Sequence, residues 1–234
     1  RMPVQFECPH CGALIDQTKA NRELPKVQCK KCHECFSTQW ASQPADMALP
    51  RGPVVSERFE VSRNFCNKLW NASRFTLMNL EGFDPAEIKL HELALSDADR
   101  WILTRLAEAS RQTGQALEDY KFNEAPSTLN AFTWHNFCDW YIEMAKDDLY
   151  GDDAPAKLRV QCVLFTVLEQ LLRLLHPLMP FITEEIWQVL PGQRPCESIM
   201  QAPYPDGTGL PIDTVCAERM EVVMEVIRAI RNIR

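Results

Sequence analysis

The chain has 234 residues, a hydrophobic share of 46% and a formal net charge of −7, room for one large domain, or a moderate domain plus a small one, in a well-packed protein. Its longest apolar run, residues 163–175, is broken by Glu169, Gln170 and Arg173, short of the roughly 20 apolar residues that a membrane span needs. The opening Arg1-Met2-Pro3-Val4 precedes no secretory signal, and its lack of an initiator Met points to a piece of a longer protein.

Residues 1–42 show little helical periodicity. Short strand-like pieces at Val4–Glu7, Val27–Cys29 and Phe36–Trp40 surround paired cysteines. Cys8-Pro9-His10-Cys11 and Cys29-Lys30-Lys31-Cys32 are two C-x2-C pairs separated by 17 residues, the spacing of a four-thiolate zinc ribbon. Two residues between thiolates let a tight turn present both sulfurs to one tetrahedral ion, and Gly12 permits the backbone such a turn needs. A module this small needs the metal to fold. The expected ligands of a structural Zn2+ are therefore Cys8, Cys11, Cys29 and Cys32, with no open position for catalysis. Cys35 is an alternative to Cys29, since Cys32-His33-Glu34-Cys35 repeats the spacing. A redox-active pair or a disulfide is the other reading of these thiols, and neither pair opens a helix as a redox motif would. His10 and His33 read as bystanders. Lys26, Lys30 and Lys31 suit phosphate, or serve only solubility. Cys66, Cys138, Cys162, Cys196 and Cys216 are scattered singly, and three of them fall in helical patterns as small buried hydrophobes. Together the thiols predict a reducing, cytoplasmic setting.

Residues 43–55 hold three prolines and a glycine and are expected to be a linker. Helical patterns follow. The first runs from Ser56 to Asn79 and stops near Gly82. A second begins at Ser96, with Asp99 placed to complete a capping box, and carries Ile102, Leu106, Ala109, Leu117 and Tyr120 on one stripe. A third opens near Asn123 with Pro126 in its first turn and ends before Gly151. A fourth starts at Asp152/Asp153 and repeats Leu158, Cys162, Phe165, Leu168, Leu172 and Leu175 until His176-Pro177. A short fifth spans Phe181–Leu190. Residues 191–212 are irregular, with a strand expected at Ser198–Gln201, and a last helix runs from Asp213 to Arg234. The fold class predicted is mainly α: an antiparallel helical bundle preceded by a small zinc ribbon. The expected division is 1–42 ribbon, 43–55 linker, 56–195 bundle, 196–212 irregular connection and 213–234 start of a further helical region.

One stretch stands apart in charge. Residues 56–78 carry Arg58, Arg63, Lys68 and Arg74 against Glu57 and Glu60, a local +2, whereas residues 79–234 carry 14 basic and 25 acidic residues, a balance of −11. At about 100° per residue from Arg63, the positions Arg63, Arg74, Asn67, Asn71, Asn64, Phe75 and Lys68 fall within an arc of about 140°. Ala72, Phe65, Leu69, Cys66, Leu77 and Trp70 occupy the opposite side, from about 180° to 340°, which is expected to pack into the bundle. Three asparagines are costly in a helix interior. Amides that read base edges would account for them, with Arg63, Lys68 and Arg74 on phosphates and Phe75 stacking on an unpaired base. Asparagines bonded to neighbouring helices are the structural alternative.

The stretch Arg63-Asn64-Phe65-Cys66-Asn67-Lys68-Leu69-Trp70-Asn71-Ala72-Ser73-Arg74-Phe75 resembles the signature that opens the anticodon-binding domain of valyl-tRNA synthetases. Asn136–Lys146 and His176–Trp187 support the resemblance, the latter being shared with isoleucyl and leucyl relatives. Over about Ser56 to Arg234 the resemblance implies a helical bundle that grips the anticodon arm of valine tRNA, with Arg63, Lys68, Arg74 and Phe75 at contact positions. It implies a whole enzyme that joins valine to tRNA with ATP, working as a monomer away from membranes. Residues 1–42 depart from the usual family pattern and read as an insertion. The chain has neither a His-Ile-Gly-His nor a Lys-Met-Ser-Lys-Ser motif, so no catalytic residue is expected in it and the catalytic domain lies elsewhere in the parent protein. The alternatives are the corresponding domain of an isoleucyl or leucyl relative and, from another class, a non-catalytic helical protein-interaction scaffold with a zinc-ribbon adaptor, which the acidic body favours and the basic, Asn-rich helix disfavours.

Overall fold

The computed structural model describes residues 4–86, 89–193 and 196–233. Arg234, the expected end of the last helix, and the side chain of Arg58 lie outside the described residues. Two compact units divide at Asn64/Phe65, inside the helix α2 (Glu57–Asn79), and each is described by itself.

The first unit has two small sheets. Strand β1 (Gln5–Glu7) lies between β2 (Leu14–Asp16) and β5 (Val54–Val55), antiparallel to both, with Phe6 opposite Ile15 and Val54. β3 (Lys26–Gln28) pairs with β4 (Cys35–Ser37), placing Val27 opposite Phe36. Phe6, Val27 and Phe36 are buried with Cys8 and Cys29, the two phenyl rings meeting edge to face at 6.1 Å. Five buried side chains on or next to strands of two or three residues are too little to hold such a unit unaided.

Residues 43–55, expected as a linker, fold onto this unit. They contribute the short helix α1 (Pro44–Met47) and strand β5. Ser37 Oγ donates to the Leu49 carbonyl at 3.0 Å, and a Cβ on Gly52 would meet the Phe36 ring at 2.3 Å. The prolines forbid a long helix but not a first helical turn or an edge strand.

The second unit is a helical bundle. Beside the rest of α2 it contains α3 (Asp97–Glu118), α4 (Glu124–Ala131), a π-helical segment (Phe132–Tyr141), α5 (Ile142–Tyr150), α6 (Ala154–Leu175), α7 (Pro180–Gln188) and α8 (Thr214–Ile233). α6 is central: Val160, Val163, Leu164, Val167, Leu168, Leu171 and Leu172 are all buried, a broader arc than one amphipathic stripe. α3 packs on α4, α6, α8 and the π segment.

Three local expectations change. The helix expected from Asn123 to Gly151 passes through ten π-helical residues, widening the turn and moving the later side chains off a 3.6-residue stripe. Tyr120, expected on the α3 stripe, follows the helix with a φ of 59° and is exposed. The strand expected at Ser198–Gln201 is a 3-10 turn over Ile199–Gln201, because the Ser198 hydroxyl accepts from the Met200 N–H and caps it.

The expected capping box at Ser96/Asp99 is present, and its carboxylate does more than cap. Asp99, 1% exposed, accepts from the Tyr141 hydroxyl at 2.7 Å and from Arg159 Nε at 2.8 Å, while Arg159 reaches Asp148 at 2.5 Å. One buried carboxylate thereby ties α3, the π segment, α6 and α5. Burial, and then the neighbouring Asp99 charge, hold the Tyr141 phenol far above its ordinary pKa. α8 is fixed on α3 by the Arg105–Glu221 ion pair and by the Asp213 N–H donating to Thr104 Oγ1 at 2.9 Å.

Candidate nucleic-acid interface and metal centre

In the first unit, Cys8–Cys11 and Cys29–Cys32 close the same turn twice. The Gly12 N–H donates to the Cys8 carbonyl and the His33 N–H to the Cys29 carbonyl, both at 2.9 Å. Gly12 adopts a φ of 69° and His33 one of 62°, so the second turn places a side chain where the first has glycine. Histidine is among the few residues enriched in that region. The sulfurs of Cys8, Cys11, Cys29 and Cys32 lie within 4.8 Å of one another, with Cys8–Cys32 and Cys11–Cys29 each at 3.6 Å. Cys35 lies on β4 opposite Gln28, outside this group of four.

These thiols fit a tetrahedral metal ion. A zinc–sulfur bond of about 2.3 Å sets the edge of the thiolate tetrahedron at about 3.8 Å, close to the separations found, whereas a disulfide needs about 2.05 Å. The backbone N–H groups of Cys32 and Lys31 draw Cys29 down to about 6. At Cys32 the Glu34 N–H favours the thiolate, but burial and the neighbouring Cys11, Cys29 and Cys8 sulfurs outweigh it and push the group up to about 12. One thiolate forms readily while Cys32 resists, which a central cation relieves.

In the second unit, the α2 wheel separates into arcs. Phe65, Leu69, Ala72, Ser73 and Thr76 are buried, while Asn67, Asn71 and Arg74 are exposed. The side chains of Asn67, Asn71 and Arg74 have no partner among the described residues, so the asparagines are not bonded to neighbouring helices. Lys68 is half-buried and already engaged, with Nζ 2.9 Å from Asp139 Oδ1 and 5.2 Å from the centre of the Trp134 ring. Phe75 packs against the core. Arg63 and Asn64, the last residues of the first unit, are exposed.

Trp70, expected in the packing arc, is 49% exposed. The buried arc covers only about 100° of the helix, so Trp70, at about 340°, stands beside Arg74 at about 20°. Sequence reasoning also gave no role to Trp134 and Asp139. An acidic residue within a helix stretch of the quoted motif was the available signal.

Residues 99–234 match the family model described as the anticodon-binding domain of tRNA ligase. The chain belongs to this family. Among similar proteins, the valine–tRNA ligase of Syntrophotalea carbinolica is 64% identical over 178 residues, covering 76% of this chain and 20% of that protein. The Geobacter sulfurreducens ligase is 57% identical over 195 residues, covering 83% of this chain and 21% of the relative. The Rhodopirellula baltica ligase is 46% identical across 100% of this chain and 23% of its own length. The chain thus spans about a fifth of these relatives. The Rhodopirellula match runs through residues 1–42 as well as the helical bundle. No helix among the described residues is long and apolar enough to cross a membrane.

Proposed function

We propose that this chain is the part of a valine–tRNA ligase that holds the anticodon arm of valine tRNA on the exposed face of α2. The observation that carries the reading is the Asn67–Asn71–Arg74 surface, without partners among the described residues, on a helix that precedes residues 99–234, the stretch that matches the anticodon-binding family. Amides with both donors and acceptors free suit base edges, and a free guanidinium suits phosphate. Lys68, Phe75 and, earlier on the helix, Arg63 and Asn64 complete the contact set. The whole protein, in this reading, joins valine to its tRNA with ATP in the cytoplasm, as a monomer, through a catalytic domain outside these residues. The chain supplies binding energy and register. The ribbon carries one structural Zn2+ on Cys8, Cys11, Cys29 and Cys32.

The test is titration of the chain with valine tRNA, with the same tRNA carrying a substituted anticodon, and with a non-cognate tRNA. Tighter binding to the first is expected, and an Asn67→Ala/Asn71→Ala variant should narrow the difference. Equal affinity for all three RNAs would overturn the anticodon reading.

A further inference from the structure

The last turns of α8 hold a second cluster of charge. The helix packs through Ala217, Met224 and Ile227, and at the usual i+3/i+4 spacing the next position on that stripe is Arg231. There the apolar stripe gives way to guanidinium. Arg228 and Arg231 both lie over the ring of Trp140, at 5.3 and 5.4 Å from its centre. Cations suit the last turn of any helix, but the helix field alone does not explain why two guanidiniums converge on one indole.

Arg100, Arg105, Arg159 and Arg173 each meet a carboxylate, whereas Arg228 and Arg231, like Arg74, Arg111 and Arg219, have no carboxylate partner among the described residues; only Arg228 and Arg231 of these converge on one ring. That holds in a body where acidic residues outnumber basic ones 25 to 14 over residues 79–234. Two like charges gathered on one ring repel until an anion lies between them. Stacking fixes the plane of each guanidinium and leaves its N–H edge for a ligand, so little side-chain entropy is lost on binding.

The anion has a natural source nearby. Trp140 follows Asp139, the residue that grips Lys68 of α2, so the same π segment touches both α2 and the end of α8. Trp140 itself is buried and offers no ring face to a base, which leaves phosphate as the group these side chains can take.

We propose that Arg228 and Arg231 form a second RNA-binding site, which grips the phosphate backbone of the RNA held by α2 and reads no sequence. This rests on the proposed RNA-binding function. The test uses the 234-residue chain, filter binding over a range of salt concentrations, and transcripts of valine tRNA and a non-cognate tRNA. Arg228→Gln/Arg231→Gln should lower the salt slope by up to about two and weaken both RNAs by the same factor, with helicity and Tm unchanged. Arg228→Lys/Arg231→Lys should keep the slope. If the double glutamine variant does not fold, each single variant should lower the slope by about one. A parent that binds while the glutamine variants keep its slope overturns the second site alone, and a fall in Tm with unchanged slope assigns the pair to packing. A parent that binds neither RNA overturns this site together with the function on which it rests.

Discussion

Lys68 Nζ sits 2.9 Å from Asp139 Oδ1, joining residues 71 positions apart in the sequence. The lysine is thus partly neutralised before any ligand arrives, with the Trp134 ring beneath it and His135 reaching the other Asp139 oxygen at 3.5 Å. Arg74, on the same helix, has no such partner among the described residues.

This difference ranks the two cations. Arg74→Ala should weaken tRNA binding more than Lys68→Ala does, lowering the salt slope by up to about one. Asp139→Asn should act in the opposite sense, raising the slope by up to about one and strengthening cognate and non-cognate RNA alike, because it frees a charge without adding a base contact. Salt titrations of the three variants decide it. A loss for Lys68→Ala equal to that for Arg74→Ala would show that the ion pair opens freely on binding.

Trp70 and Phe75 separate in a similar way. Phe75 packs on the core, so Phe75→Ala should lower Tm as well as affinity. Trp70 is about half exposed, and Trp70→Ala should leave Tm nearly unchanged. If Trp70 stacks on an unpaired base, its removal costs roughly 1–3 kcal/mol of binding. Paired melting and binding measurements resolve the two roles, and unchanged RNA affinity in Trp70→Ala would leave Trp70 a bystander.

The Tyr141 hydroxyl donates to buried Asp99, and Tyr141→Phe should cost about 1.5–3 kcal/mol near neutral pH, as a hydrogen bond to a charged acceptor does. Its pH dependence has a definite sign. The folded state holds the Tyr141 proton far above the ordinary tyrosine value, so this stabilisation is complete below the unfolded pKa of about 10 and is lost as pH rises beyond it. The loss approaches roughly 1.4 kcal/mol per pH unit. The phenylalanine variant has no such proton, so the stability gap between parent and variant should shrink above about pH 10. Urea melts of both proteins at neutral and alkaline pH measure it, and a constant gap would contradict the buried hydrogen bond.

What the sequence made legible follows local rules. The Ser96/Asp99 cap, the two cysteine turns and the buried arc of α2 each depend on residues within a few positions of one another. What escaped it is either long-range or narrow in margin. Val54–Val55 pairs with β1 across some fifty residues, and nothing in a proline-rich stretch announces such a partner. The π segment has no periodicity of its own to detect. Trp70 was misplaced because an apolar residue at the rim of a helical arc is buried or exposed according to how wide the facing groove is. The Lys68–Asp139 pair joins two helices whose contact no spacing rule gives.

The thiol cluster makes a prediction that isolates the first unit. Its buried set is Phe6, Cys8, Val27, Cys29 and Phe36, too small to outweigh the chain entropy of ordering strands of two or three residues. Protein purified in reductant should contain one zinc per chain. Chelation, or Cys29→Ser, should abolish hydrogen-exchange protection at Phe6, Val27 and Phe36, while protection in α3 and α6 persists because their core is made elsewhere. Cys35→Ser should keep the metal, since its sulfur is not one of the four that converge. Loss of zinc in Cys35→Ser with retention in Cys29→Ser would exchange the two ligands. Metal-free protein with full protection at Phe6 and Phe36 would show that the aromatic pair, rather than an ion, holds the unit together.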